Sequence, residues 1–261
     1  MAGQYNSSIT RVRPVFKQLI YRENTKWIAD ILRLSPVLIA QDIATNIGNV
    51  LPHNYEKRPF QGTELEACFE ASLPPADEFL RWLIENPTKM TWCNVKTSDS
   101  TTAARKELFV GSKKREAEAL AALKQYGAEG SAKKWWAFEG FTEVDCLIET
   151  DTVLLGIEGK RTEEGPSASV SWYPHRNQII RNLEVVKQRA GNKPFGVFLV
   201  DEKGDYQIDR VEIRNSLPHF TQQDQDSLMQ HFLGTITWRQ LCEATGLNYD
   251  NLPDRITDVQ S

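Results

Sequence analysis

Two adjoining apolar runs that carry charged residues constrain the fold of this chain more than any other feature. The runs cover Phe141–Glu149 and Val153–Lys160, are rich in Val, Leu and Ile, and are bounded by polar turn residues. Short apolar runs of this kind predict buried β-strands. Asp145 lies in the first run, and Glu158 and Lys160 lie in the second. Because a buried strand rarely carries carboxylates unless they are paired or bind a metal, these residues predict a functional site.

The expected hairpin brings the two carboxylates to one face. Side chains alternate along a strand, so Glu158 and Lys160 share a face. The segment 149–152 favours a tight turn with a two-residue loop. That loop would pair Asp145 with Gly156 and make Glu158 a diagonal neighbour of Asp145, at roughly 7–8 Å between backbones. An odd loop length would instead put the carboxylates on opposite faces.

The charged pattern of the two runs resembles that of a known nuclease family. Asp145, followed in the next strand by Glu158, Gly159 and Lys160, is similar to the motif of the PD-(D/E)xK nuclease superfamily, which has the restriction-endonuclease-like fold. The proline that often precedes the family's aspartate is absent, and Val144 stands in its place. The resemblance covers about residues 105–201.

The order of predicted elements also matches that family, whose core runs helix, three strands, helix, strand. The matching segments are Ser112–Tyr126, Lys133–Phe138, Phe141–Glu149, Val153–Lys160, Arg176–Arg189 and Pro194–Val200. We therefore expect an α/β fold with a restriction-endonuclease-like core (α-β-β-β-α-β), in which a mixed central sheet is flanked by helices. The core is assigned to residues 101–215.

The two ends of the chain are expected to be mainly helical. Within residues 1–100, Val15–Leu34 and Glu64–Ile84 show helical apolar periodicity, and the polar stretch 94–104 is the best candidate for a linker or mobile loop. Residues 216–261 predict a helical extension that packs on the core, with two helical segments around Gly234.

The resemblance implies a metal site with a neighbouring cation. Asp145 and Glu158 would hold Mg²⁺ or Mn²⁺, for which hard carboxylate oxygens are suitable ligands. The main-chain carbonyl of Gly159 would complete the protein ligands. Lys160 would stabilise the charge on the phosphate or orient the attacking water.

Two predicted helices add candidate catalytic residues. Glu116 falls in the apolar stripe of Leu120 and Leu123, and the family often supplies an acidic ligand from this helix. An exposed glutamate on a solvated face is the alternative. In the later helix, Gln178 and Asn182 lie along one edge of the buried stripe, and some family members use a glutamine there. Gln178 is therefore a further candidate.

The distribution of charge favours nucleic acid as the partner more than its total does. The net charge is −4, from 31 Lys and Arg against 35 Asp and Glu. Basic residues nevertheless cluster in 105–134 and 160–193, as a surface that contacts phosphates requires. The expected contacts are Lys113, Lys114, Arg115, Arg161, Tyr173 and Arg176. For any single lysine a solvated helix face is the alternative, and packing is the alternative for the tyrosine.

Composition places the chain in the soluble globular class. It has 40% hydrophobic and 25% charged residues, no apolar run near the ~20 residues needed to span a bilayer, and no signal-peptide pattern. We therefore expect a cytoplasmic protein without a membrane partner. The cysteines predict reduced thiols rather than disulfides or a zinc site, because no CxxC pair occurs; they are Cys68, Cys93, Cys146 and Cys242.

These observations predict a Mg²⁺-dependent deoxyribonuclease, a hydrolase of phosphodiester bonds. Because a fold does not determine a function, two alternatives stay open. One is a non-catalytic nucleic-acid-binding module with a nuclease-like fold in a defence, repair or mobile-element complex. The other is a structural interaction protein with its charges on an exposed sheet edge. The sequence leaves open endo- or exonuclease action, DNA or RNA, specificity and oligomeric state, a homodimer included.

Overall fold

The fold is an α/β architecture built on one mixed sheet of five strands in the order β1-β2-β3-β4-β5. A computed structural model describes residues 5–22, 26–47, 69–94, 96–150, 152–162, 165–167 and 169–259. The strands are β1 Phe69–Leu73, β2 Thr142–Glu149, β3 Leu154–Gly159, β4 Phe195–Asp201 and β5 Phe232–Thr237. The first three are antiparallel neighbours, and β3, β4 and β5 are parallel.

Helices cover both faces of this sheet. Those of the described residues are α1 Arg13–Ile20, α2 Lys26–Leu32, α3 Leu38–Ile47, α4 Asp77–Glu85, α5 Asp99–Phe109, α6 Lys113–Tyr126, α7 Gln178–Ala190, α8 Arg210–Ser216, α9 Gln222–Met229 and α10 Trp238–Thr245. A π-helical turn, Ser8–Val12, precedes α1, and short 3₁₀ turns cover Pro87–Lys89, Ala128–Ser131, Tyr249–Asn251 and Ile256–Asp258. No helix of the described part is long and apolar enough to cross a membrane.

Three apolar clusters hold the layers together. The first packs α1–α3 and α10 on one face of the sheet. The second packs α7–α9 on the other face. The third joins α4–α6 to the loops that contain Trp136 and Trp172. The sheet is thus buried on both faces, which explains why its central strands read as continuous apolar runs in the sequence.

Local signals correctly predicted the central strands and the helix that connects them. The strands expected at 141–149, 153–160 and 194–200 are confirmed as β2, β3 and β4. The helix expected at 176–189 is confirmed as α7, which begins at Gln178 because the Asn177 side chain accepts hydrogen bonds from the N–H groups of Ile179 and Ile180. It ends at Gly191, which has φ +60°.

The strand predicted at Lys133–Phe138 is wrong. That segment forms turns, and the strand that pairs with β2 is β1, from the region expected to be helical. Two local features prevent ladder pairing of the segment. Lys133 has φ +61°, which is not a strand conformation. The carbonyl of Trp135 accepts a hydrogen bond from Arg105 Nε at 2.7 Å.

Three further expectations about the chain ends need correction. Within Glu64–Ile84, residues 64–68 lie outside the described residues, and the remainder forms β1 and α4 rather than one helix. The polar stretch 94–104 begins α5, because Ser98 caps the helix by accepting from the N–H of Thr101. The two helical segments expected around Gly234 are α9 and α10, but Gly234 itself lies inside β5, a strand that was not expected. Both ends therefore contribute a strand to the sheet.

Candidate functional site

The carboxylates of Asp145 and Glu158 lie level with each other on adjoining strands. The β2–β3 ladder pairs Cys146 with Ile157, and the next step of the same register puts Asp145 beside Glu158. The expected two-residue loop is wrong, because Glu149 pairs with Leu154 and the loop is therefore 150–153. The loop still has an even number of residues, so the two carboxylates remain neighbours across the strands. They are direct neighbours rather than the expected diagonal ones.

The side chains of strand β2 switch faces of the sheet at Asp145. Val144 packs in the cluster with α7, whereas Cys146 packs in the cluster with α1–α3, although residues two apart in a regular strand share a face. On the neighbouring strand Glu70, level with Asp145, has φ +53°. Irregularities of this kind re-aim side chains. Here Asp145 Oδ2 accepts a hydrogen bond from the Gly159 N–H at 2.8 Å.

Glu158 is buried, with 1% of its surface exposed, and three polar side chains contact it. Its Oε1 accepts from Lys160 Nζ at 2.8 Å and from Gln178 Nε2 at 2.6 Å. Its Oε2 accepts from Asn182 Nδ2 at 2.9 Å. Burial raises the pKa of Glu158, and the charge of Lys160 and the bond from Asn182 only partly offset this. The structure thus brings Lys160 and Gln178 to the carboxylate as the sequence analysis expected.

Supporting residues that the sequence analysis left without a role hold this arrangement. Asn182 lies one turn after Gln178 on α7 and also accepts from Thr142 Oγ1 at 3.3 Å. A polar residue one turn from a site candidate was the available signal. The Lys160 carbonyl accepts from Trp238 Nε1 at 2.8 Å, a contact from α10 that no local pattern indicates. The backbone beside Lys160 is therefore anchored from the far end of the chain.

Burial and repulsion weaken the acidity of Asp145. Burial raises its pKa to about 7, the charge of Glu158 acts in the same direction, and the Gly159 N–H and Lys160 oppose them. Near neutral pH the pair therefore carries less negative charge than two exposed carboxylates would. A cation placed beside both groups would favour their ionised forms.

Asp145→Asn is expected to stabilise the protein at alkaline pH in the absence of divalent metal. The folded-state pKa of Asp145 is raised from its ordinary value of 3.8, so the native state binds more protons than the unfolded state between these values. Stability therefore falls as pH rises through this window. At about pH 8 the variant should gain about 1–3 kcal/mol in unfolding free energy, and near pH 4 the gain should vanish. Urea unfolding in EDTA measures both.

The exposed Asp205 offers the matched control, because Asp205→Asn should change stability little at either pH. An Asp145→Asn variant that is less stable than the wild type at alkaline pH would contradict the strained carboxylate pair.

The structure does not bring Glu116 to these carboxylates. Its side chain pairs with Lys113 at 2.7 Å, and its helix, α6, packs on α4 and α5 in the third cluster. The buried positions of α6 are Ala119 and Leu123. The expectation that Glu116 supplies a ligand is therefore corrected: its stripe faces other helices, which the alanine-rich sequence of α6 did not reveal.

Two arginines expected to contact nucleic acid instead make structural ion pairs. Arg176 is fully buried and bonds to Glu139 and Glu184. The Arg161 side chain is 7% exposed and bonds to Asp254. Neither guanidinium is accessible to a phosphate in this conformation, because carboxylates from distant parts of the chain surround both.

The remaining expected contacts divide into buried and exposed residues. Tyr173 is buried, packs edge-on against Phe79, and donates its hydroxyl to the Asn215 carbonyl at 2.7 Å, so the packing alternative holds. Arg115 is engaged by two glutamates of α5 and α6. Of the six expected contacts, two keep exposed side chains: Lys113 and Lys114.

Metal-ligating side chains are sparse. Among the described residues, no group of three or more His, Cys, Asp or Glu is arranged to hold a metal. The expected ligands that the two strands supply are two carboxylates and a main-chain oxygen, and Glu116, the expected third acidic residue, does not join them. Cys68 lies outside the described residues, and Cys93, Cys146 and Cys242 form no disulfide with one another.

No protein-family model matches the chain, and comparisons with curated proteins and with solved structures found no match. What the protein does must therefore be inferred from its own residues.

Proposed function

We propose that this protein is a metal-dependent nuclease that hydrolyses phosphodiester bonds of DNA and has a restriction-endonuclease-like core. One observation carries the proposal: a buried Glu158 carboxylate lies level with Asp145 and contacts Lys160 at 2.8 Å. Two carboxylates on adjoining strands and a lysine directly after the second strand provide cation ligands and a positive charge in one place.

The order of the strands supports the proposed core. β1, β2 and β3 form an antiparallel meander, and α7 connects β3 to the parallel strand β4. This is the succession of three strands, helix and strand that the resemblance implies. In the part of the chain that the structure describes, the helices before β1 are α1–α3, whereas the helix at 112–126 belongs to α4–α6, which lie between β1 and β2.

The residues of the site fit a divalent cation. Asp145 and Glu158 offer the hard oxygens that Mg²⁺ and Mn²⁺ prefer, and burial has raised the pKa of both. The Gly159 carbonyl is the proposed main-chain ligand. When bound, the cation would lower the pKa of a water molecule and offset the charge on the phosphate.

The chain's own residues position the reacting groups. Gln178 and Asn182 hold the two oxygens of Glu158 in a fixed orientation. Lys160 is 15% exposed on its side chain, so its ammonium group can reach a phosphate at the surface of the site. There it would stabilise the negative charge that develops on the phosphate oxygens.

The decisive experiment is cleavage of supercoiled plasmid and of single-stranded DNA with Mg²⁺ or Mn²⁺, compared with EDTA. Metal-dependent cleavage by the wild type and none by Asp145→Asn is the expected result. Failure of the wild type to cleave either DNA with either metal would overturn the proposal.

Lys160→Met is expected to impair turnover far more than binding. Because Lys160 acts on charge that develops in the transition state, kcat should fall by about 10²–10³-fold while DNA affinity stays within about twofold. Single-turnover cleavage and fluorescence polarisation measure the two quantities separately.

Replacing the exposed pair Lys113 and Lys114 with glutamine should have the opposite effect. DNA affinity should fall, and the slope of log affinity against log salt should flatten by about 1–2 units. Equal effects of both sets of changes on rate and affinity would contradict the assigned roles.

A non-catalytic DNA-binding module is the second candidate function. It is favoured by one observation: side-chain donors of the chain itself, on Lys160, Gln178 and Asn182, bond to both oxygens of Glu158. Such a module would bind DNA equally well in Mg²⁺ and in EDTA and would cleave in neither. The plasmid experiment therefore separates the two functions.

A further inference from the structure

A cavity of about 850 Å³ lies beside the start of α5 and extends to Arg181. It is lined by the residues around the start of α5, by the segment 131–141, by the segment 169–172, and by Arg181. Its volume is within the range of roughly 300–1,000 Å³ that is typical of small-ligand sites. Arg181 connects the cavity to the site, because it lines the cavity and its positive charge acts to lower the pKa of Glu158.

The charged lining of this cavity is strongly basic. Its basic residues are Lys96, Arg105, Lys133, Lys134 and Arg181. The acidic lining residue is Glu139, and its carboxylate is already bonded to Arg176 at 2.8 and 3.1 Å. Glu139 also lies 4.0 Å from Arg181 Nε. The lining still carries five basic side chains against one carboxylate, and this excess of positive charge favours an anionic ligand.

Two buried polar atoms of the lining make no hydrogen bond within the described chain, although one of them, Arg181 Nε, lies 4.0 Å from a Glu139 oxygen. Ser131 is 1% exposed, and its Oγ has no hydrogen-bond partner there. The buried Arg181 Nε also lacks a hydrogen-bond acceptor among those residues. Buried polar atoms are normally hydrogen-bonded, so groups left unpaired inside a cavity point to a ligand.

Arg105 is the cation set deepest in the lining, with 7% of its surface exposed. Its Nε donates to the Trp135 carbonyl at 2.7 Å, and its guanidinium lies 4.9 Å from the centre of the Trp172 ring. No carboxylate of the described residues forms an ion pair with it. A guanidinium held by a carbonyl and an aromatic ring keeps donors suited to bidentate binding of a phosphate.

An exposed aromatic ring completes the lining. Phe141 is 38% exposed and lines the cavity beside Arg181, whose side chain donates to the Phe141 carbonyl at 3.1 Å. Exposed aromatic rings among basic residues are the usual surface for a single nucleic-acid strand, because bases stack on the ring while cations contact the backbone. The ring therefore indicates a ligand that carries a base as well as a phosphate.

We propose that this cavity binds one nucleotide unit of a single-stranded segment of nucleic acid, with its phosphate beside Arg105 and Ser131 and its base against Phe141. The inference rests on the proposed function in one respect: the strand continues past Arg181 to Glu158. The same chemistry would accept a free mononucleotide, and the experiment distinguishes the two sources.

The test measures binding of a short fluorescein-labelled single-stranded DNA by polarisation in EDTA, where no cleavage occurs. Lys133→Gln combined with Lys134→Gln should weaken binding about tenfold and reduce the salt slope by about 0.7–1.4 units. Phe141→Ala should weaken binding by about 5- to 100-fold without changing the slope. Both lysines and Phe141 are exposed, so these variants should fold.

The control replaces two exposed lysines outside the cavity, Lys17 and Lys187, with glutamine. It removes the same charge and should change affinity less than twofold. AMP and inorganic phosphate are the competitors. Displacement of the DNA only by a large excess of AMP supports a strand as the ligand, whereas tight binding of AMP with no binding of DNA overturns it.

The inference is also overturned if the wild type binds no single-stranded DNA, or if the cavity variants and the control variant bind it equally. Its failure differs from failure of the proposed function. Loss of DNA affinity in the cavity variants, together with no metal-dependent cleavage by the wild type, supports the cavity assignment and rejects the nuclease. If the wild type cleaves DNA and the cavity variants bind DNA normally, the nuclease is supported and the cavity assignment is rejected.

Discussion

Glu158→Gln is expected to reduce metal-dependent DNA cleavage by at least about 10²–10³-fold. Glutamine has the same shape and can still accept the hydrogen bond from Asn182, but it lacks the negative charge that holds a cation beside Asp145. Initial rates of plasmid nicking over a range of Mg²⁺ concentrations measure the loss. Excess metal should not restore the rate, because the missing charge is part of the site itself.

The same variant should be at least as stable as the wild type in EDTA. Burial raises the pKa of Glu158, so the ionised carboxylate is a cost to the folded state that glutamine does not carry. Glu143→Gln, an exposed position on the neighbouring strand β2, is the control and should leave cleavage unchanged. Full activity of Glu158→Gln would reject the site, and loss of activity with loss of folding would show Glu158 to be structural.

Arg176→Met is expected to destabilise the protein by about 3–5 kcal/mol. The guanidinium is fully buried and bonds to Glu139 and Glu184, which are themselves buried. It also lies 3.8 Å from the centre of the Phe79 ring. Methionine retains some packing but removes the guanidinium that two buried carboxylates share, and leaves them with His219 at 2.7 Å from Glu184 and Arg181 at 4.0 Å from Glu139. Urea unfolding at neutral pH gives the free-energy difference.

Arg210→Met supplies the matched comparison, because Arg210 pairs with Asp226 at the surface. Exposed pairs contribute about 0–1 kcal/mol, so this change should have a small effect. Adding Glu139→Gln and Glu184→Gln to Arg176→Met should recover part of the loss by removing the unpaired charges. A loss below about 1 kcal/mol for Arg176→Met would mean that the buried pairs contribute no more than surface pairs do.

The sequence by itself determined the strands and the helix whose local residue pattern agrees with their surroundings in the folded protein. The apolar runs of β2, β3 and β4 have no other stable place than the centre of a sheet covered on both faces. The spacing of Asp145 from Glu158 and Lys160 then needed only an even loop to bring the carboxylates level. The helical period of α7 placed Gln178 and Asn182 along one edge of its buried stripe, and the family resemblance singled out Gln178.

Only the tertiary structure decided which distant residues complete these elements. The partner of β2 is β1 rather than residues 133–138, and this pairing spans about seventy positions of the chain. The residues of a short strand do not indicate which distant strand it will pair with. The contact of Trp238 with the Lys160 carbonyl has the same long-range origin. Periodicity within a segment cannot predict either.

Burial of charge was the other property decided by the tertiary structure. The sequence predicted Arg176 and Arg161 to be phosphate contacts, because the residues around a single arginine do not indicate which carboxylate it will pair with. Arg161 pairs with Asp254, 93 positions away, and Arg176 pairs with Glu139, 37 positions away. Charge along the chain therefore reports where cations are, whereas folding decides which of them remain accessible to a ligand, since buried charges must be paired.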